Sequence, residues 1–178
     1  IGLVSSPFGG PTAQLPVRQN NQLENVTASY YAADANFIKN MKLRFLSGKN
    51  LSESINDSSS DFVLVNEQLL SALGMGSAAD APGKTFLINN DHEVRIQGVL
   101  NNFCYNTYQF AAKPLLIQYN PSGFKVLSIE TKNTVDPEEF KSEVNSVWKK
   151  YSPHDQLVFS DYQKDLYDRY FPGKDMKF

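Results

Sequence analysis

Residues 61–74 read Asp61-Phe62-Val63-Leu64-Val65-Asn66-Glu67-Gln68-Leu69-Leu70-Ser71-Ala72-Leu73-Gly74, and both a strand and a helix can be read from them. Phe62 to Val65 form a four-residue apolar run, the length and composition of a short buried strand. Asn66 follows, a residue whose side chain can accept a hydrogen bond from a free N–H at a helix start. Leu69, Leu70 and Leu73 then share one face of a helix over Glu67–Leu73, and Gly74 supplies the left-handed stop.

Working towards the N-terminus, Ser47 to Asp61 is polar and Ser-rich and reads as a surface loop. Gly48 marks a turn after Leu43-Arg44-Phe45-Leu46. Asp34 caps a short helix with Phe37, Ile38 and Met41 at helical spacing. From Asn25 to Ala33 the chain alternates, Val26, Ala28, Tyr30 and Ala32 against Thr27, Ser29 and Tyr31, which suits a strand. Residues 1–24 carry Pro7, Gly9, Gly10, Pro11 and Pro16 with few apolar anchors, so loop is expected there.

Towards the C-terminus, Pro82-Gly83 is a turn. Thr85–Ile88 and His92–Leu100 flank Asn89-Asn90-Asp91 as a hairpin. Leu115–Tyr119 and Lys125–Lys132 read as strands separated by Asn120-Pro121-Ser122-Gly123. Asp136 caps a helix over Pro137–Lys150, with Pro137 at its first position and Glu139 completing a capping-box-like start. Its stripe is Phe140, Val144, Val147, Trp148 and Tyr151. Leu157–Ser160 reads as a strand and Asp161–Phe171 as a final aromatic helix. This order predicts an α+β protein and not a regular doubly wound sheet.

Composition narrows the function classes. At 178 residues, 41% hydrophobic and 20% charged, the chain has room for its own core, as one domain or at most two small ones. Lys+Arg 17 against Asp+Glu 19 gives a net charge of -2, without the basic excess of a nucleic-acid binder. One Cys and two His exclude a disulfide framework and a metal-rich scaffold. Aliphatic and aromatic runs stop at four residues, where a bilayer span needs ~20. Beginning at Ile1 without a visible signal peptide, the chain reads as an excised domain. A lone Cys fits both a reducing compartment and an exported domain without disulfides.

No catalytic constellation emerges. His92 and His154 stand far apart without acidic or Cys neighbours at zinc spacing, and read as exposed loop histidines. Cys104 has no adjacent Lys, Arg or His to lower its pKa, and reads as a buried or idle thiol. Gly83-Lys84-Thr85 imitates the end of a phosphate loop, but the upstream Gly is Ala78 and a strand is expected next, so it reads as a strand start. Glu138, Glu139, Asp165 and Asp168 belong to solvated helix faces. Neither a cofactor nor a metal is implied. Tyr30, Tyr31, Tyr105, Tyr108 and Phe110 form the candidate contact surface, on aromatic content alone.

Several phrases follow one another along the chain: Asn36-Phe37-Ile38, Met41-Lys42-Leu43-Arg44-Phe45-Leu46-Ser47-Gly48-Lys49, Asp61 to Glu67, Leu73-Gly74, Ala81-Pro82-Gly83-Lys84-Thr85 and Val94 to Phe103. Together they resemble the periplasmic core domain of MacB-like and FtsX-like ABC transporter permeases, from about Tyr30 to the C-terminus. The departures are Lys49 where Arg is usual, no Ile before Gly83, and Asn102 where Asp is typical. Residues 1–24 match no part of that pattern.

The resemblance implies a two-lobed extracytoplasmic domain. A porter-like α/β lobe would comprise 1–43 and 104–178, and a smaller, mostly β lobe, 44–103, would be inserted into it. The capped helix would pack on the strands at Leu115–Tyr119 and Lys125–Lys132. It also implies the periplasmic domain of a bacterial inner-membrane protein that is not an enzyme. Such a domain couples ATP-driven motion of a cytoplasmic ATPase to movement outside the membrane, in export or mechanotransmission. Its partners would be that ATPase, a second permease copy or repeat, and a periplasmic protein, with no nucleic acid. The alternative is a ligand-sensing domain of a peptide- or antibiotic-responsive permease.

Overall fold

In a computed structural model, the structure describes residues 1–20, 22–52, 61–89, 91–105, 112–132 and 134–170. Among the described residues nine strands and four α-helices run in the order β1 (Gly2–Val4), β2 (Ala13–Arg18), β3 (Val26–Ala32), α1 (Ala35–Asn40), β4 (Phe45–Gly48), β5 (Phe62–Asn66) and α2 (Glu67–Leu73). There follow β6 (Thr85–Ile88), β7 (His92–Leu100), β8 (Leu115–Gln118), β9 (Val126–Ser128), α3 (Pro137–Tyr151) and α4 (Tyr162–Tyr170). The chain divides into two compact units, Ile1–Ile129 and Glu130–Phe178.

In the first unit the strands lie in the order β4-β7-β5-β8-β3-β2-β6, and β6 pairs with β7 as well. That last pairing closes six strands into a ring, which removes most of the free sheet edge, and leaves β4 as an outer strand. The β3–β8 and β5–β7 pairs are parallel and the rest antiparallel. β7 can serve both β5 and β6 because it is nine residues long: His92–Arg95 pair with β6, Arg95–Leu100 with β5.

The ring encloses one hydrophobic cluster. Val17, Ala28, Val63, Val65, Phe86, Ile88, Val94, Ile96, Val99 and Leu116 meet Leu69, Leu70 and Leu73 of α2. Each large side chain buried in this way contributes about 1.5–3 kcal/mol. The opposite face of β3 and β8 is covered too, since Tyr31 and its register partner Ile117 are both fully buried. There Phe8 packs edge-on against Tyr31 (5.0 Å), Phe37 (5.2 Å) and Phe103 (5.2 Å), while Tyr105 meets Tyr31 (6.0 Å) and Phe103 (5.7 Å).

Much of the sequence reading is realised. The β6–β7 hairpin spans the expected residues, α2 begins at Asn66 and ends on Gly74 at φ 65°, and Gly83-Lys84-Thr85 opens β6. Two expectations are corrected. Residues 1–24 contain β1 and β2, whose partners β9, β3 and β6 lie far along the chain. Leu157–Ser160 forms no strand. Strands from residues 44–103 and from the flanking segments hydrogen-bond within one sheet, and the compact units meet at Ile129.

The second unit contains α3 and α4. Asp136 accepts from the N–H groups of Glu138 and Glu139, both at 2.9 Å, with Pro137 in the first turn. Asp161 holds the start of α4 in the same way, through Gln163 (2.9 Å) and Lys164 (3.1 Å). Beyond α3, the Trp148 indole N–H donates to the Asp155 carbonyl (3.2 Å), and the Ser152 hydroxyl bonds the Asp155 carboxylate.

Candidate functional site

Of the aromatic contact surface expected from sequence, two members lie in the core. Tyr31 is 0% and Tyr105 2% exposed, because both rings fill the second core between β3 and the chain after β7. Tyr108 and Phe110 lie outside the described residues. Tyr30 sits half-buried on the ring side of β3 and ends in a polar cluster. Its hydroxyl donates to Gln118 Oε1 (3.2 Å) and accepts from Asn120 Nδ2 (3.3 Å). Burial pushes the Tyr30 phenol up, and the Asn120 bond partly offsets it. The Tyr105 phenol is also raised, by burial first, against a hydrogen bond with Ser29.

The other sequence candidates are dispersed. Cys104 is exposed, which removes the buried alternative of the buried-or-idle reading. His92 opens β7 with Nε2 3.8 Å from Asp61 Oδ1, both side chains about half-exposed. His154 lies in the turn after α3. Among the described residues no group of three or more His, Cys, Asp or Glu is placed to hold a metal ion, and no helix is long and apolar enough to cross a membrane.

What the ordered sequence phrases do is hold backbone together. Asn66 is fully buried. Its Oδ1 accepts from the N–H of Leu69 (3.0 Å) and of Leu115 (3.0 Å), and its Nδ2 donates to the Lys113 carbonyl (2.8 Å). One side chain thus caps α2 and fixes the start of β8. Asn102 adds a second cap to α2, accepting from the Gln68 N–H at 3.1 Å. An acceptor there suits the positive end of the helix.

The remaining phrases behave alike. Lys84 donates from Nζ to the Met75 carbonyl (2.8 Å), tying the turn before β6 to the loop after α2. The Gly83 N–H donates to the Ile96 carbonyl (2.8 Å), and Ile96 N–H returns to Lys84 (2.9 Å). Gly48 and Gly98 are register partners across β4 and β7. Gly48 has φ 71°, and a Cβ on Gly98 would stand 2.5 Å from the Lys49 carbonyl oxygen, so this crossing excludes side chains.

Comparison with known proteins gives the same reading. A family model, MacB-like periplasmic core domain, matches residues 4–147. The chain belongs to that family. The MacB-like domain is similar to the crystal structure of the periplasmic region of MacB from Actinobacillus actinomycetemcomitans, with a TM-score of 0.64 and 14% identity over 92% of this chain and 72% of that one. A domain assigned to a permease protein from Porphyromonas gingivalis gives 0.58 at 15% identity, over 88% and 65%. The extracellular domain of the noncanonical ABC-type transporter YknZ from Gram-positive bacteria gives 0.55 at 14%, over 86% and 76%. No curated protein sequence matches the chain. At such low identity these neighbours share the fold, and the MacB structure is a periplasmic region and the YknZ structure an extracellular domain. The MacB-like domain is accordingly an extracytoplasmic domain of α+β fold from the ABC permease class.

Proposed function

We propose that this MacB-like domain is the non-catalytic moving part of an ABC permease. It conveys ATP-driven motion of a cytoplasmic ATPase partner, through the membrane-spanning part of the permease, to movement outside the membrane. The observation that carries the reading is the family match over residues 4–147. The local chemistry supports it. Asn66, Asn102, Lys84, Gly48 and Gly98, the residues of the ordered phrases, are all engaged in caps, turns and a close strand crossing. A body that transmits displacement needs such rigid joints, and its function does not depend on a reactive group.

The test uses the full permease with its ATPase and a second permease copy in a membrane. Leu23, 98% exposed, is replaced by Cys in a Cys104→Ser background and labelled with a spin probe. The distance between the two copies' labels is expected to change when ATP binds and to return after hydrolysis. An unchanged distance, with the ATPase fully active, would contradict the proposal.

A further inference from the structure

β1 and β9 form a two-stranded sheet with Gly2, Leu3 and Val4 opposite Ser128, Leu127 and Val126. The two strands are held very differently. Val4 is fully buried and bridges to Ala33. The Asp34 N–H donates to the Leu3 carbonyl (3.0 Å) and the Ser5 N–H to Ala32 (2.8 Å). A Cβ on Gly2 would collide with the backbone of Phe37, so β1 lies directly on α1. By contrast, the strand partner of β9 among the described residues is β1, and Leu127 is exposed. Beyond that ladder, β9 is held by the Asn40 side chain, whose Nδ2 donates to the Ser128 carbonyl (3.2 Å).

β9 also sits between two well-marked points. Before it, the 3-10 turn Pro121–Gly123 is closed by Gly123 N–H to Asn120 (3.0 Å) and Phe124 N–H to Pro121 (3.1 Å), with Phe124 stacked edge-on to Tyr119 at 5.7 Å. After it comes the boundary between the compact units at Ile129. An isolated three-residue ladder is marginal in water, and proteins open at such points before they open globally. We propose that β9 is a latch. It detaches from β1 while the rest of the first unit stays folded, and frees residues 125–129 from the sheet. The proposal does not depend on the transport role.

Amide hydrogen exchange on the 178-residue chain tests it. The Lys125 N–H, bonded to the Val4 carbonyl at 3.0 Å, reports the latch, and the Asp34 and Ser5 amides report β1. Lys125 is expected to exchange at least ~100-fold faster than the other two after correction for intrinsic rates. Asn40→Ala should speed Lys125 alone, by roughly 2- to 10-fold. An oxidised Cys pair from Leu3→Cys and Leu127→Cys, in a Cys104→Ser background, should slow Lys125 towards the Ser5 rate. Equal protection of all three amides in the parent chain would overturn the proposal. So would a Lys125 rate unmoved by the crosslink, or an Asn40→Ala effect shared by all three.

Discussion

Asn66 joins three stretches of chain with one amide, and its replacement shows how much a family phrase can carry. Asn66→Ala removes an α2 cap and leaves the Lys113 carbonyl and the Leu115 N–H without the partner that Asn66 supplies. The expected cost is about 2–4 kcal/mol, read from urea midpoints. Asn102→Asp should be neutral or slightly stabilising, since it keeps the acceptor and adds negative charge at the helix start. At Tyr105 the phenol donates to the Pro114 carbonyl (3.1 Å), and its ionisation is held above the usual tyrosine value near 10.0. A folded-state value raised above the unfolded one contributes stability that is complete below the unfolded value and is lost as pH rises past it. Stability should therefore fall in alkaline titration above about pH 10. Tyr105→Phe should lose about 0.5–1.5 kcal/mol at neutral pH but decline less steeply above that point.

Among the elements, those legible in the sequence are the ones whose signals are local. β5, α2 and the β6–β7 hairpin carry their own cap, stop and turn residues within a few positions. β1 and β2 do not. Their residues are Pro- and Gly-rich, and they become strands only because β9, β3 and β6 supply partners from distant sequence. Leu157–Ser160 has strand composition but pairs with no strand among the described residues. Periodicity gave the aromatic residues of β3 correctly as two sets, yet it could not say that both faces are covered, so Tyr31 read as a contact while it is core; Tyr105, after β7, packs against it from outside the strand. The β4–β7 crossing makes a prediction at this scale. Gly98→Ala places a methyl group against the Lys49 carbonyl, and should destabilise by about 1–3 kcal/mol, measured by thermal unfolding.

α3 illustrates the same limit from the other side. Its capped start was readable, and its apolar stripe is present, but no residue of the helix is buried. Trp148 is 36% and Tyr151 83% exposed. With so little burial, the helix depends more on its ends, and Asp136→Ala should cost about 1 kcal/mol and lower helicity in the second unit.

For the whole molecule, family membership was carried by the order of the phrases, none of which is a site of chemistry. Sequence reading therefore reached the family and most elements. The closed strand ring predicts that the first unit unfolds as one cooperative body, with β9 the exception. The decisive measurement is the distance between probes at Leu23→Cys on two permease copies, followed through the ATP cycle. A reversible change on ATP binding is the result the proposed role requires. A fixed distance during full ATP hydrolysis would mean that this domain does not move with the motor.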